Sequence, residues 1–337
     1  MPLLSISSPE TMQAAATMFL QSTDVFIASY PKSGTTWTQH IVLSLLMREQ
    51  RNDPTRSTEK APNMYQHVSD YAPFLDIDAH WELPKDNNHD APPQLVSWIR
   101  DNHTTLGRRV FNTHLRFDML PSGAAAKIIY VVRSPLDVCV SFFYHLSHQV
   151  EGRYEQDLNV FFEEWLKGEL PFGSWIDHVM SYAAGVSNAT TNDHNNNSAI
   201  TTTTILNDGR QVLWISYEDM VDNLEAVVQD MAQFLNLQYV TYQEITQELL
   251  PTFTFAAMRQ DLSRFQPQSV TWKDNFSFLR KGIKGDARQA LSETQRAQFV
   301  QRLEEARVGE TLDQWKLQET NPRVYQSLTT LLSNTAN

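Results

Sequence analysis

One string constrains this chain more than anything else in it: Tyr30-Pro31-Lys32-Ser33-Gly34-Thr35-Thr36-Trp37. It stands directly between a β-rich apolar run at 24–29 and an apolar helical pattern that reaches about Arg51, with Trp37, Ile41 and Leu45 on one face. A glycine at a strand-to-helix turn lets the backbone approach a ligand closely, and the helix that follows offers free N–H groups and the positive end of its dipole. Lys32 adds a mobile cation, and Ser33, Thr35 and Thr36 add hydroxyls. Together they predict a phosphate cradle built into one turn. The G-x-x-x-x-G-K-[ST] spacing of a Walker A loop is missing, because here the lysine precedes the glycine. The plainer alternative is an ordinary βα turn with a threonine cap, and it gives no reason for the clustering of these residue types.

The alternation continues along the chain. Segments 109–113, 127–132 and 211–216 read as further buried strands, with helical patterns at about 135–147, 157–168, 174–185, 223–236 and 292–308. Strands separated by helices require parallel crossovers. The expectation is therefore an α/β fold: a single domain, 1–337, with a central parallel sheet flanked by helices and a strand-loop-helix resembling a P-loop. Residues 1–23 are expected as a flexible amino terminus and 310–337 as a C-terminal helical tail. Pro/Asn/Asp-rich stretches at 51–63 and 84–93 read as loops. The low-complexity tract 187–204, SNATTNDHNNNSAITTTT, reads as a polar surface insertion.

Composition narrows the partners. Lys and Arg number 27 against 39 Asp and Glu, a formal net charge of −12, which repels nucleic acid and anionic membrane; an anionic ligand must be captured in a local basic pocket. Cys139 is the single cysteine, so an intrachain disulfide and a four-cysteine metal site are excluded, and a reducing compartment fits. The first 31 residues hold no Lys or Arg, which argues against a mitochondrial presequence and against the charged start of a signal peptide. No apolar run approaches the length needed to span a bilayer. The expectation is a soluble cytoplasmic protein.

Two further elements carry chemistry. In Val131-Val132-Arg133-Ser134-Pro135-Leu136-Asp137, Ser134 reads as an N-cap with Pro135 at the first helical position, which leaves Arg133 at a strand end, suited to bidentate phosphate recognition. Ser141, seven residues beyond Ser134, falls on the same helical face. The alternative pairs Arg133 with a carboxylate and buries Ser141. The second element, Phe278-Leu279-Arg280-Lys281-Gly282-Ile283-Lys284-Gly285-Asp286, places three cations within five residues in a glycine-bearing loop. By itself it reads equally as a solvated basic cluster.

Taken in order, these strings resemble the cytosolic-type sulfotransferase family. Asn112-Thr113-His114-Leu115 and Trp214-Ile215-Ser216-Tyr217-Glu218-Asp219-Met220 are lesser matches in the expected places, and the likeness runs from about residue 24 to about 310. The resemblance implies the donor 3′-phosphoadenosine 5′-phosphosulfate (PAPS), the product adenosine 3′,5′-bisphosphate (PAP), no metal, and a small hydroxylated acceptor such as a phenol or sterol. It implies that Lys32, Ser33, Gly34, Thr35 and Thr36 hold the 5′-phosphosulfate and that Trp37 stacks on adenine. Arg133, Ser141, Arg280, Lys281 and Gly282 would hold the 3′-phosphate. Tyr217, Phe255 and Met258 would line the adenine pocket, His114 would be the general base, and Lys32 would meet charge on the leaving oxygen.

Departures from the family pattern are visible too. Many animal members carry lysine where this chain has Asn112, Ala287 stands where tryptophan often follows Gly-Asp, and the family's short dimer motif is not recognisable in 288–296. A P-loop kinase or NTPase and a non-catalytic nucleotide-binding protein are the competing classes; the first needs a magnesium arrangement and a Walker A spacing the sequence lacks. The acceptor pocket is expected in 71–81, 142–148 and 162–175, where Tyr71, Phe74, Trp81, Phe142, Phe143 and Tyr144 read either as an apolar pocket or as ordinary core.

Overall fold

Val25 and Ile27 alternate with Phe26 and Ala28 along β1 (Val25–Ser29), and every residue of the strand is buried in the computed structural model. Both faces are apolar because both are covered, as a parallel strand requires. β1 is paired in parallel on each side, with β4 (Val110–Thr113) and with β5 (Lys127–Val132). Successive side chains point to opposite faces. Val25, Ile27, Ile129, Val131, Leu213 and Ile215 therefore enter one core, and Phe26, Ala28, Ile128, Tyr130, Val132 and Trp214 the other. The structure describes residues 2–56, 64–82, 94–123, 125–187, 189, 191–192, 201–273 and 276–336. The loop expected at 84–93, and parts of those expected at 51–63 and 187–204, lie outside them.

Helices close both cores. α2 (Thr35–Asn52) buries Ile41, Val42 and Leu45 in the first, beside Val227, Val228 and Met231 of α8 (Leu224–Phe234). α4 (Pro135–Ser147), α5 (Leu158–Lys167) and α6 (Trp175–Ser187) cover the second. α5 shows the local logic. The Asp157 carboxylate caps its first turn by accepting from the Asn159 and Val160 N–H groups, Gly168 ends it at φ 75, and Phe161, Phe162 and Trp165 form its buried stripe. α3 (Ser97–Leu106) follows the short antiparallel pair β2 (Trp81–Glu82) and β3 (Gln94–Leu95). α7 (Tyr217–Asp222), α9 (Tyr242–Glu244) and α10 (Phe255–Gln260) lie along the connections after β8 (Gln211–Ser216). The chain finishes in α11 (Ala287–Ala290), α12 (Glu293–Glu305), α13 (Val308–Gln314), α14 (Leu317–Thr320) and α15 (Pro322–Ala336). Among the described residues no helix is long and apolar enough to cross a membrane.

Two expectations need correction. The amino-terminal segment carries α1 (Pro9–Thr17), capped by Ser8, with Thr11, Ala14 and Ala15 buried. The Asp78 carboxylate fixes its start by accepting from the Ser8 amide and hydroxyl at 2.8 Å and from Thr11 Oγ1 at 2.7 Å. The polar tract 187–204 is also more than a surface insertion. Its end forms β7 (Thr202–Ile205), antiparallel to β8, and β6 (Thr191–Asn192) pairs with β7, giving a mixed sheet of order β4-β1-β5-β8-β7-β6. Threonine is β-branched and favours strands, and its hydroxyls are satisfied inside. Thr201 Oγ1 donates to Asp230 Oδ2 at 2.7 Å, and Asn321 Nδ2 donates to Thr204 Oγ1 at 2.6 Å.

Excising 187–204 should therefore destabilise the protein. Two buried hydrogen bonds, each worth about 0.5–1.5 kcal/mol, go with the strand pairing, and the melting temperature should fall by several degrees. An unchanged thermal melt would show that β7 contributes nothing.

Candidate functional site

The carboxyl ends of β1, β4, β5 and β8 open at one edge of the sheet, the usual place for a ligand crevice in an open α/β sheet. After β1 the chain turns through Lys32 at φ 69 and Gly34 at φ 108, and Gly34, not a threonine, is the N-cap of α2. A Cβ on Gly34 would meet Tyr217 Cδ2 at 2.9 Å. Gly34→Ala should cost about 1–2 kcal/mol from the left-handed backbone alone, readable by denaturant unfolding; a variant as stable as the wild type would show that the turn readily re-forms.

Around this turn Ser33 is 1% exposed, and its hydroxyl is buried without a hydrogen-bond partner. The Thr35 hydroxyl is engaged with Ser29 Oγ at 2.9 Å, and Thr36 is half-buried on the first turn of α2. Trp37 donates its indole N–H to the Phe253 carbonyl at 2.8 Å and meets Tyr217 edge-on, centroids 5.9 Å apart. Burial, with the charges of Arg133 and Arg280, lowers the Lys32 ammonium to about 7.

Arg133 holds two loops together from the end of β5. Nη1 donates to the Lys32 carbonyl at 3.0 Å, Nη2 to the Ile283 carbonyl at 3.4 Å, and the guanidinium lies 4.3 Å from the Tyr217 ring centre. Its Nε is buried without a partner. Ser134 occupies the N-cap of α4, but its side chain makes no cap bond; its amide donates to Glu218 Oε1 at 3.0 Å. Ser141 is half-buried on α4, and among the described residues its hydroxyl bonds neither Arg133 nor the 280–282 loop.

The 278–286 loop is organised by carboxylates that sequence reading did not single out. Asp137, in the first turn of α4, accepts from the Gly285 amide at 2.7 Å and the Ala287 amide at 2.9 Å, which fastens the loop to the helix beside Arg133. The three cations do not stand free: Arg280 and Lys281 both pair with Asp286, and Lys284 pairs with Asp222. Gly282, at φ 65, packs so closely on Phe255 that a Cβ would collide with the ring. The loop, Arg133, Tyr217, Trp37 and Phe255 are thus linked to one another by direct contacts. Met258 is buried in the adjoining core.

His114 follows β4. Its Nδ1 lies 2.8 Å from the Ser29 carbonyl, which can only accept, so Nδ1 carries the proton and Nε2 the lone pair. Burial lowers the imidazole to about 4; the Ser29 carbonyl opposes the shift and the Lys32 charge adds to it. Phe74 and Phe172 pack on the ring, each with its centroid 5.2 Å away. Asp76 fixes the backbone, accepting from the His114 amide at 2.7 Å and Thr113 Oγ1 at 2.6 Å, and burial pushes its carboxyl up to about 7. An acid in the apolar string Pro73-Phe74-Leu75-Asp76-Ile77 was the available signal. Asn112 Oδ1 is buried without a partner. Of the aromatics expected in an acceptor pocket, Phe74 reaches His114, Trp81 and Phe142 are buried core, and Tyr144 lies under Arg280 at 4.6 Å.

Comparison with known proteins gives a consistent picture. A family model described as "Sulfotransferase domain" matches residues 22–194 and 198–316. A relative from Arabidopsis thaliana, cytosolic sulfotransferase 7, is 26% identical over 279 residues, 81% of this chain and 75% of its own. The 3-alpha-hydroxysteroid sulfotransferase of Cavia porcellus is 26% identical over 309 residues, 90% of each chain. A crystal structure of a mouse sulfotransferase complexed with PAP superposes with a TM-score of 0.58 at 22% identity, covering 93% of this chain and 95% of that one. That likeness is one of fold.

Proposed function

This chain belongs to the sulfotransferase family, and we propose that its site moves a sulfuryl group from PAPS to the hydroxyl of a small, largely apolar acceptor, with His114 as the general base. The observation that carries the reading is the pairing of a histidine locked as its Nδ1–H tautomer with a lysine-bearing glycine turn beside it. The donor site passes a test of fit. Ser33 Oγ and Arg133 Nε are buried donors without partners, and at Gly34 and Gly282 any larger side chain would intrude on the aromatic rings.

In this reading the 32–36 turn and Ser33 would hold the 5′-phosphosulfate. Arg133 and the 280–282 loop would hold the 3′-phosphate, and Trp37, Tyr217 and Phe255 the adenine. Bound there, PAPS supplies an activated sulfuryl group. His114 Nε2 accepts the acceptor's hydroxyl proton as that oxygen forms its bond to sulfur, and Lys32 faces the negative charge left on the bridging oxygen as the old S–O bond breaks. A neutral imidazole is the active form, and burial keeps His114 neutral down to about pH 4.

An apolar alcohol or phenol is supported by Phe74 and Phe172 flanking His114 and by the steroid acceptor in the name of one relative. A cytoplasmic setting is supported by the name of another. Two measurements test the reading together: calorimetry with PAP in the absence of metal against ATP with magnesium, then turnover of labelled PAPS with phenols, sterols and alcohols. Tight metal-free PAP binding with turnover is expected. PAP binding without turnover on any acceptor would make this a nucleotide-binding protein, with Asn112 the first residue to question.

A further inference from the structure

Lys32 has a partner that the transfer reaction does not call for. Its Nζ lies 3.2 Å from His145 Nδ1 and 4.1 Å from the centre of the Phe278 ring. His145, half-buried on α4, is flanked by Trp272 with ring centroids 5.0 Å apart and by Phe278 at 5.8 Å. An ammonium only donates, so opposite a charged Lys32 the His145 Nδ1 must accept and its proton must sit on Nε2. Burial, with the charges of Lys32 and His114, holds this imidazole well below its ordinary range, so it is neutral and able to accept throughout the working pH range.

Among the described residues, His145 is the one group that accepts a hydrogen bond from Lys32 Nζ. Arg133, from the β5–α4 junction, and Arg280, from the 278–286 loop, are cations that act against its charge. Phe278 offers a ring face, and His114, whose Nδ1 donates to Ser29, keeps its Nε2 lone pair for the acceptor's proton in the proposed reading. We propose that His145 is a positioning residue for Lys32, whose Nδ1 fixes the ammonium over the turn and keeps it protonated in a pocket where every other charge would drive the proton off. The inference rests on the PAPS reading of the site, since it takes Lys32 as the cation that meets the ligand's 5′-phosphate.

The sign of the pH dependence follows. Lys32 titrates near 7 in the free protein, and a bound phosphate raises that value. Binding needs no proton below about pH 7; above it, Lys32 must take one up and affinity falls. Without the Nδ1 acceptor the free lysine loses its proton at lower pH, so uptake starts lower. Loss of a hydrogen bond that favours the charged form is expected to move the midpoint down by about one pH unit or more.

The experiment is calorimetry with PAP from pH 6 to 9 in buffers of different ionisation enthalpy, which reads proton uptake directly. His145→Phe and His145→Leu, two apolar replacements of different bulk, are expected to shift the midpoint downward. His145→Asn, which places an oxygen near Nδ1, is expected to restore it. Asp76→Asn separates the buried carboxyl, whose own value is also about 7. An unchanged midpoint in whichever apolar variant folds overturns the proposal, and so does an equal shift in His145→Asn, because the effect would then be packing. Failure of the wild-type protein to bind PAP overturns the donor assignment itself.

Discussion

His114→Ala should lower kcat by about 10²- to 10⁴-fold, the range for loss of a positioned general base, while PAP affinity stays close to that of the wild type. The split follows from where the ring sits. Nδ1 is held by the Ser29 carbonyl and the ring lies between Phe74 and Phe172, which in the proposed reading leaves Nε2 for the acceptor and none of the ring for the nucleotide. The pH profile adds an independent check. Because burial lowers this imidazole to about 4, the neutral base persists far into acid, and the acid limb of kcat should lie near pH 4 to 5 instead of near an ordinary histidine's 6.5. Near-normal turnover in His114→Ala would remove the assignment. His145 is poorly placed to replace it, since its Nδ1 meets Lys32; His148, bonded through Nδ1 to the Tyr144 carbonyl at 2.7 Å and stacked on Phe276 at 4.8 Å, keeps an Nε2 lone pair and would be the next residue to substitute.

The readable parts of the molecule are those whose causes are local. β1, β5 and β8 stand out because parallel strands covered on both faces leave continuous apolar runs, and the Lys32–Trp37 turn because its chemistry lies in consecutive residues. β7 was hidden by the threonines in and just before it: their hydroxyls look solvated in sequence, yet Asp230, 29 residues from Thr201, and Asn321, 117 residues from Thr204, satisfy two of them inside. α1 escaped for a similar reason, as its anchor Asp78 lies 67 to 70 residues beyond the Ser8 and Thr11 groups it holds. The same applies to the carboxylates of the site. Asp137 fastens a loop 148 and 150 residues on, and Asp76 reaches the His114 amide across 38. Asp76 has no motif, and Asp137, though it closes the Val131–Asp137 string, carries no local sign of its partners, because a carboxylate that accepts backbone N–H groups needs only the right fold, not particular neighbours.

The basic string Arg280-Lys281-Gly282 illustrates the opposite error, in which local reading claims too much. In sequence its cations appear free to receive a phosphate, but Asp286 neutralises Arg280 and Lys281 in the folded chain. Burial raises the Asp286 carboxyl, while hydrogen bonds from Lys281 and Arg280 more than offset this, so it stays below its usual range and ionised. A 3′-phosphate would have to draw these cations away from Asp286, which lessens the gain from each.

That competition ranks the two arginines of the proposed pocket and sets the second large effect. Arg133→Ala is expected to weaken PAP binding by about 10- to 150-fold, the loss of one charge-assisted contact worth about 1.5–3 kcal/mol. Arg133 has no carboxylate partner to be freed from among the described residues. It also ties the Lys32 carbonyl of the donor turn to the Ile283 carbonyl of the basic loop, over the Tyr217 ring. Arg133→Lys should not recover the affinity, because a single ammonium cannot span both carbonyls and lie flat on the ring. Arg280→Ala should cost less than Arg133→Ala, since its bond to Asp286 must first be surrendered. Calorimetry with PAP on the three variants, each first checked for an unchanged thermal melt, decides the order. If Arg280→Ala proves the more damaging, the loop reads the phosphate and Arg133 is only the strut that holds the loop in place.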